Sequence, residues 1–199
     1  MYIDNGFAEV NNTRLYYEVA GSGDPVLLLH GDASDHTMWD AQIEQFAQRY
    51  LVIRMDFRGF GKSAISDGSP FRHVDDVAAL LDHLNIDSVH LVGQSMGGGV
   101  AIDLAIQYPQ RVNGLVVVNA DLSSENRLSE IKATTLILVG QHAAIPQQTT
   151  ADKMRVEIPR NTKFILPNVG HMPNTEDHET FNTVALIFLK QTGCGCLGG

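Results

Sequence analysis

Short apolar runs that alternate with helical patterns constrain the fold of this chain more than any other feature. Each run is bounded by turn-forming residues and carries few polar side chains, which is typical of strands buried on both faces. Such runs occupy residues 26–30, 51–55, 89–92, 115–118, 135–139 and 162–166, and a weaker one occupies residues 15–19. Helical patterns occupy residues 37–49, 71–84, 95–108, 147–156 and 175–190. The alternation predicts an α/β fold with a mostly parallel, doubly wound sheet, helices on both faces and an antiparallel early strand at one edge.

The length favours one compact domain. The chain has 199 residues, and it contains no repeat, no low-complexity linker and no composition break that would divide it. We therefore predict a single core domain over residues 1–192, followed by a Gly/Cys-rich tail over residues 193–199 that we expect to be disordered. The two cysteines, Cys194 and Cys196, both lie in this tail, so the sequence provides no disulfide framework that would indicate secretion.

The charge of the chain argues against several classes of partner. The net charge is −9 and the basic residues do not cluster, so nucleic acid and anionic membranes are poor candidates. No apolar run approaches the length needed to cross a bilayer, and the first residues do not resemble a signal peptide. We expect a cytoplasmic enzyme that acts on a small molecule without a metal or an organic cofactor.

A G-x-S-x-G motif is the strongest chemical signal. Gly93-Gln-Ser95-Met-Gly97 follows an apolar strand and precedes a helical pattern. A tight turn between strand and helix would lift the Ser95 hydroxyl clear of the backbone, and the flanking glycines would remove the Cβ atoms that clash there. Ser95 is therefore the candidate nucleophile, and the Met96 N–H at the helix N-terminus is a candidate oxyanion donor.

Two further segments complete a candidate active site. His30-Gly31-Asp32 ends the first buried run, and the Asp32 N–H could supply a second oxyanion donor. His171 lies in a loop after the last predicted strand, at the sheet edge where catalytic groups gather, and could act as the base for Ser95. The remaining histidines that fit helix surfaces or a strand are interpreted as structural or solvated: His73, His83, His90 and His178.

Together these segments resemble the α/β-hydrolase superfamily. Residues 12–31 resemble the opening of its esterase, lactonase and haloperoxidase-like members, and residues 56–63 are similar to its Asp-x-Arg-Gly-x-Gly-x-Ser loop. Gly170-His-Met-Pro173, followed by Glu176 and Phe181, resembles its closing histidine motif. The resemblance implies a hydrolase with Ser95 as nucleophile, His171 as base, and an oxyanion hole formed by the N–H groups of Asp32 and Met96.

The sequence departs from the family pattern at the triad acid. The family places an aspartate shortly after the strand at residues 135–139, and Ala143 occupies that position here. Loss of the triad acid lowers the turnover of a serine protease about ten-thousandfold. Asp121, after the preceding strand, preserves the order nucleophile–acid–base and could replace it. Asp121 could equally be a polar loop residue or a helix cap.

A second departure is the short connection between the strands at residues 115–118 and 135–139, where the family usually inserts a helical lid. We predict a lidless, shallow and wet site that favours small or loosely held esters. The Asp32 carboxylate would oppose an oxyanion if it faced the site, so we expect only its N–H to point inward. The leading hypothesis is a serine hydrolase that cleaves small carboxylic esters through an acyl-enzyme. The alternative is a catalytically impaired or engineered hydrolase scaffold that serves as a binding or signalling module.

Overall fold

The predicted α/β architecture is confirmed. A computed structural model describes residues 3–65, 68–122 and 127–192, and within them eight strands form one sheet. The strands are β1 (Ile3–Val10), β2 (Thr13–Gly21), β3 (Asp24–Leu29), β4 (Tyr50–Met55), β5 (Val89–Gln94), β6 (Val112–Val118), β7 (Thr134–Gly140) and β8 (Asn161–Leu166). Their order across the sheet is β1-β2-β4-β3-β5-β6-β7-β8. The tail at residues 193–199, with Cys194 and Cys196, lies outside the described residues.

The central and carboxy-terminal strands run parallel, as the apolar runs predict. Pairs β4–β3, β3–β5, β5–β6, β6–β7 and β7–β8 are all parallel, whereas β1–β2 and β2–β4 are antiparallel. Because the parallel strands point the same way, their carboxyl ends meet at one edge of the sheet. This edge is where ligands bind in open α/β sheets, and it carries all the predicted site residues.

The first strand is a feature that sequence patterning missed. Only one residue of β1, Ala8, is buried, so the strand lacks the apolar run by which the other strands are recognised. A turn signal was nevertheless present, because Asn11 and Asn12 join β1 to β2 and both adopt positive φ, at 48° and 55°. Two consecutive residues with positive φ define the type I′ hairpin turn, which asparagine tolerates.

The described residues form six α-helices, of which the first four connect strands and the last two follow β8. They are α1 (Asp40–Phe46), α2 (His73–His83), α3 (Met96–Gln107), α4 (Ile145–Glu157), α5 (Pro173–Glu176) and α6 (His178–Thr192). Two predicted helices are divided. The first begins with a 3-10 turn at His36–Trp39 before α1, and the last is interrupted between α5 and α6. None of the helices in the described ranges is both long enough and apolar enough to cross a membrane.

The sheet separates two apolar layers. Alternate residues of β3 point to opposite faces, so Leu27 and Leu29 belong to one layer and Leu28 to the other. The first layer packs under α2, α3 and α4, and the second under α1 and α6. Both faces are therefore covered, which is why the central strands read as continuous apolar runs.

The connection from β6 to β7 spans only residues 119–133. Its described parts contain one 3-10 turn, Leu128–Glu130, while residues 123–126 lie outside the described residues. A connection of this length leaves few residues for a helical lid, which the family resemblance described above would place between these two strands.

Candidate functional site

Ser95 lies at the sharp turn between β5 and α3. Its backbone has φ 52° and ψ −118°, outside both the helical and the strand regions, and the first residue of α3 is Met96. A non-glycine residue in such a conformation costs on the order of 1–3 kcal/mol and persists only where the surrounding structure imposes it. This is the strand–turn–helix geometry in which G-x-S-x-G presents a nucleophile.

Glycines make room for this turn. A Cβ atom on Gly93 would lie 2.4 Å from the Gly97 carbonyl oxygen, and one on Gly97 would lie 2.3 Å from the Leu29 carbonyl oxygen. The first turn of α3 therefore packs directly on the end of β3. The backbone itself, rather than a flexible side chain, excludes any larger residue at these two positions.

We expect Gly97→Ala to lower the free energy of unfolding by about 3 kcal/mol, because α3 must move away from β3 to relieve the clash. Gly59→Ala is the matched control. Gly59, unlike the helical Gly97, has a positive φ, at 86°, and a Cβ there meets no atom within 4 Å. Its cost should be only the backbone strain, about 1–2 kcal/mol. Urea unfolding of the two variants measures both values, and equal losses would contradict a steric role for Gly97.

The buried His30 fixes the orientation of a candidate oxyanion donor. Its Nε2 accepts a hydrogen bond from the Phe57 N–H at 3.0 Å, so the proton of the imidazole must reside on Nδ1. That Nδ1–H donates to the Gly31 carbonyl oxygen at 2.7 Å. In a trans peptide the C=O and the next N–H point in opposite directions. Holding the Gly31 carbonyl toward His30 therefore turns the Asp32 N–H away from it.

The Asp32 carboxylate bends back onto its own loop. Its Oδ1 accepts the N–H of Ala33 at 3.0 Å, and Ala33 has a positive φ of 54°. The Asp32 N–H has no acceptor among the described residues. The Met96 N–H lies in the first turn of α3, where a helix leaves its N–H groups without intrahelical partners. The Gly31 loop lies against the turn at Ser95, since a Cβ on Gly31 would lie 3.4 Å from the Ser95 Cβ, and the Asp32 carboxylate is engaged within its own loop.

Buried neutral histidines make the stability of the fold pH-dependent. Burial lowers the pKa of His30 and of His90, so the folded protein keeps both imidazoles neutral. The unfolded chain binds more protons than the folded one below about pH 6.5. Their contribution is fully present above that pH and is lost as the pH falls, by at most about 2.7 kcal/mol per pH unit for the two residues.

We expect the urea concentration at the midpoint of unfolding to decrease as the pH is lowered from 7.5 to 5.5. His90→Gln should reduce the number of protons taken up on unfolding by about one. His178→Gln, at an exposed position on α6, serves as the control and should leave the pH dependence unchanged. Identical pH dependence in His90→Gln and the unmodified protein would contradict the assignment.

Three side chains hold the loop that carries His171. Asn119 Nδ2 donates to the carbonyl oxygens of Gly170 and His171, at 3.0 and 2.9 Å, and Gln94 Nε2 donates to the same His171 oxygen at 3.0 Å. The Glu176 carboxylate accepts the N–H of Gly170 at 2.6 Å and that of Met172 at 2.8 Å. The backbone on both sides of His171 is therefore fixed against the ends of β5 and β6.

Sequence reasoning missed Asn119 and Gln94 as site residues. A polar side chain directly after a buried strand was the available signal, because the carboxyl ends of neighbouring parallel strands converge. Asn119 also combines a positive φ of 42° with almost complete burial. This combination is rare in a residue that has no function in its loop. Glu176 was noted only as part of the histidine motif, with no contact assigned to it.

The structure brings Asp121 to Ser95 and not to His171. Ser95 Oγ donates to Asp121 Oδ2 at 2.8 Å. The His171 side chain is exposed, and its imidazole has no hydrogen-bond partner in the described parts of the chain. Ala143 is buried and packs in the apolar layer under α4, so its position contributes no acid. Asp121 thus hydrogen-bonds to the candidate nucleophile, and among the described residues it makes no hydrogen bond to the imidazole of His171, the candidate base.

A separate polar cluster supports the loops behind the site. His36 contacts Asp56 through Nδ1 at 2.8 Å and lies 3.3 Å from a Glu18 oxygen through Nε2. With Asp35, these His36 and Asp56 side chains are the described set whose spacing could hold a metal ion. The Asp56 carboxylate already accepts the backbone N–H groups of His36 and Lys62, both at 2.7 Å. These contacts join the loop after β3 to the loop after β4, and the cluster therefore serves as a structural support for both loops.

The fold and the site together define a class of protein. A family model described as alpha/beta hydrolase fold matches residues 24–134, which is more than half of the chain. The chain belongs to the alpha/beta hydrolase family.

Individual relatives agree with this assignment. A protein of Azorhizobium caulinodans provisionally named carbamate hydrolase RutD is 32% identical over 147 residues, covering 71% of this chain and 56% of its own length. An uncharacterized protein of Mycobacterium tuberculosis is 39% identical over 116 residues, which is 57% of this chain and 34% of that protein. The chain therefore spans between a third and just over half of the length of these curated relatives.

Among solved structures, a thermophilic esterase from Thermogutta terrifontis superposes with a TM-score of 0.87 at 24% identity. The alignment covers 96% of this chain and 100% of the esterase. At this identity the similarity shows the fold alone.

Proposed function

We propose that this protein is a serine hydrolase that cleaves small carboxylic esters through an acyl-enzyme on Ser95. The observation that carries the proposal is the backbone of Ser95, which adopts a strained conformation between β5 and the first residue of α3. Strain of this kind concentrates at functional sites. Here it places the largely buried Ser95, which is 6% exposed, between the end of β5 and the N-terminus of α3. Ser95 would attack the ester carbonyl, and the N–H groups of Asp32 and Met96 would stabilise the oxyanion.

His171 is proposed as a general base in a reaction that needs a base twice, when Ser95 attacks the ester and when water attacks the acyl-enzyme. Gln94 and Asn119 hydrogen-bond to the backbone of its loop, and we expect rotation of the His171 side chain to bring the imidazole to Ser95. Catalytic hydrogen bonds are often loose before substrate binds, so the open geometry is compatible with this role. The reaction as proposed uses neither a metal nor an organic cofactor.

Small esters are the proposed substrates because the β6–β7 connection is too short to form a lid. An enclosed pocket that buries a growing acyl chain gains about 0.8 kcal/mol per methylene, or nearly fourfold in kcat/KM. We expect kcat/KM to change by less than about tenfold between p-nitrophenyl acetate, butyrate and octanoate. Initial rates on the three esters test this, and a steep rise toward octanoate would contradict an open site. A p-nitrophenyl carbamate tests the activity named for the Azorhizobium relative.

A catalytically impaired scaffold is the second candidate. It is supported by Ala143 at the position of the family's triad acid and by the exposed imidazole of His171. Absence of any Ser95-dependent turnover on these esters would favour this candidate over the hydrolase.

A further inference from the structure

The hydroxyl of Ser95 has one hydrogen-bond partner among the described residues, and it is a carboxylate. Ser95 Oγ donates to Asp121 Oδ2 at 2.8 Å. The backbones of the two residues are also joined, because the Asp121 N–H donates to the Ser95 carbonyl oxygen at 3.2 Å. The Ser95 N–H in turn donates to the Val118 carbonyl oxygen at 2.9 Å, at the end of β6. These backbone hydrogen bonds extend the pairing of β5 and β6 just past the ends of the two strands. They hold the Asp121 carboxylate beside Ser95.

The histidine lacks an equivalent partner. Ala143 supplies only a methyl group at the position where the family carries its acid. In the described ranges, no side chain hydrogen-bonds to the His171 imidazole. The imidazole is therefore not held against the Ser95 hydroxyl, whereas the Asp121 carboxylate already accepts the hydrogen bond of that hydroxyl. The base that touches the proton to be removed from Ser95 is thus Asp121.

We propose that Asp121 takes the Ser95 proton during acylation, so that Ser95 and Asp121 form a catalytic pair and His171 serves the water step. This inference rests on the proposed function. As Ser95 Oγ bonds to the ester carbonyl carbon, its proton passes to Asp121 Oδ2 and the carbonyl electron pair moves to oxygen. When the carbonyl re-forms, the bond to the leaving alkoxide breaks, and the alkoxide takes the proton from the Asp121 carboxyl.

The second half of the reaction balances on His171. The imidazole takes a proton from water as the water oxygen bonds to the acyl carbon. Collapse of this intermediate breaks the bond from the acyl carbon to Ser95 Oγ, which recovers its proton from the imidazolium. Asp121 is then again a carboxylate and His171 a neutral imidazole, ready for the next ester, and the net reaction is ester and water to acid and alcohol.

Stopped-flow kinetics with p-nitrophenyl acetate separate the two halves. Release of p-nitrophenolate in the first turnover reports acylation, and the later linear phase reports hydrolysis of the acyl-enzyme. We expect Asp121→Asn, which keeps the size of the side chain but cannot accept the proton, to slow the burst by about 10²–10⁴-fold. His171→Asn should keep the burst and slow the linear phase, and mass spectrometry should then find acetyl-Ser95 accumulating.

Two controls make the test decisive. Asp87→Asn, at an exposed position just before β5, should leave both phases unchanged. Asp121→Ala should slow the burst as Asp121→Asn does, and circular dichroism checks that each variant is folded. A normal burst in Asp121→Asn, or loss of the burst in His171→Asn, would overturn the catalytic pair and leave the hydrolase intact. An undiminished burst in Ser95→Ala would overturn the proposed function itself.

Discussion

Ser95→Ala is expected to lower kcat/KM for p-nitrophenyl acetate by at least about a thousandfold. Removal of the proposed nucleophile would end the acyl-enzyme pathway and leave only slow attack by water at a site that keeps the proposed oxyanion donors. The methyl group of alanine fits wherever the serine hydroxyl fitted, so the elbow should keep its shape. The loss is then chemical, and the unfolding midpoint should stay close to that of the unmodified protein.

The control for this variant flanks the same strand at its other end. Ser88 precedes β5 at its opposite end, where its Oγ accepts a hydrogen bond from Asn113 at 3.1 Å, far from the catalytic edge. Ser88→Ala should retain full activity. An organophosphonate that labels active serines should modify the unmodified protein and Ser88→Ala, with the adduct mapped to Ser95. Equal turnover in Ser95→Ala and Ser88→Ala would contradict Ser95 as nucleophile.

Asn119→Asp is expected to lower kcat by about a hundredfold with little change in KM. The amide nitrogen of Asn119 faces the carbonyl oxygens of Gly170 and His171, and an aspartate would present a third oxygen to those two. Repulsion would push the His171 loop outward, and displacement of a catalytic group by about 1 Å costs roughly that factor. Aspartate tolerates the positive φ of Asn119 as asparagine does, so the backbone conformation itself is not penalised.

Asn113→Asp provides the comparison, since Asn113 lies near the opposite end of β6 and faces Ser88. It should retain both kcat and KM. The separation of kcat from KM distinguishes positioning of His171 from loss of ester binding. A kcat for Asn119→Asp equal to that of Asn113→Asp would show that the hydrogen bonds from the Asn119 amide do not position His171.

The sequence was most informative where chemistry and backbone geometry are encoded in adjacent residues. The elbow requires small residues at 93 and 97 because backbone atoms lie within 2.4 Å of where a Cβ would be, so the motif specifies the turn. The parallel core strands were recognisable because burial on both faces excludes most polar side chains. Strand β1 was not recognised from the sequence because an edge strand that is only partly buried need not exclude polar side chains.

Contacts between distant segments were not readable in the same way. The bond from Asn119 to the His171 loop crosses 52 positions of sequence, and that from Ser95 to Asp121 crosses 26. Each depends on the order and register of β5 and β6 and on the rotamer that packing selects. A carboxylate placed after β6 could have turned toward either the serine or the histidine.

By itself, the sequence determined the fold class, the strained turn at Ser95 and the edge of the sheet where the polar residues gather. Local motifs suffice for these, because each follows from sterics and hydrophobic burial within a few residues. Only the tertiary structure decided that Asp121 contacts Ser95, that the amides of Asn119 and Gln94 hold the His171 loop, and that His30 orients the Gly31–Asp32 peptide. Such hydrogen bonds depend on differences of about 1 Å, which arise only when the strands are paired and the layers packed.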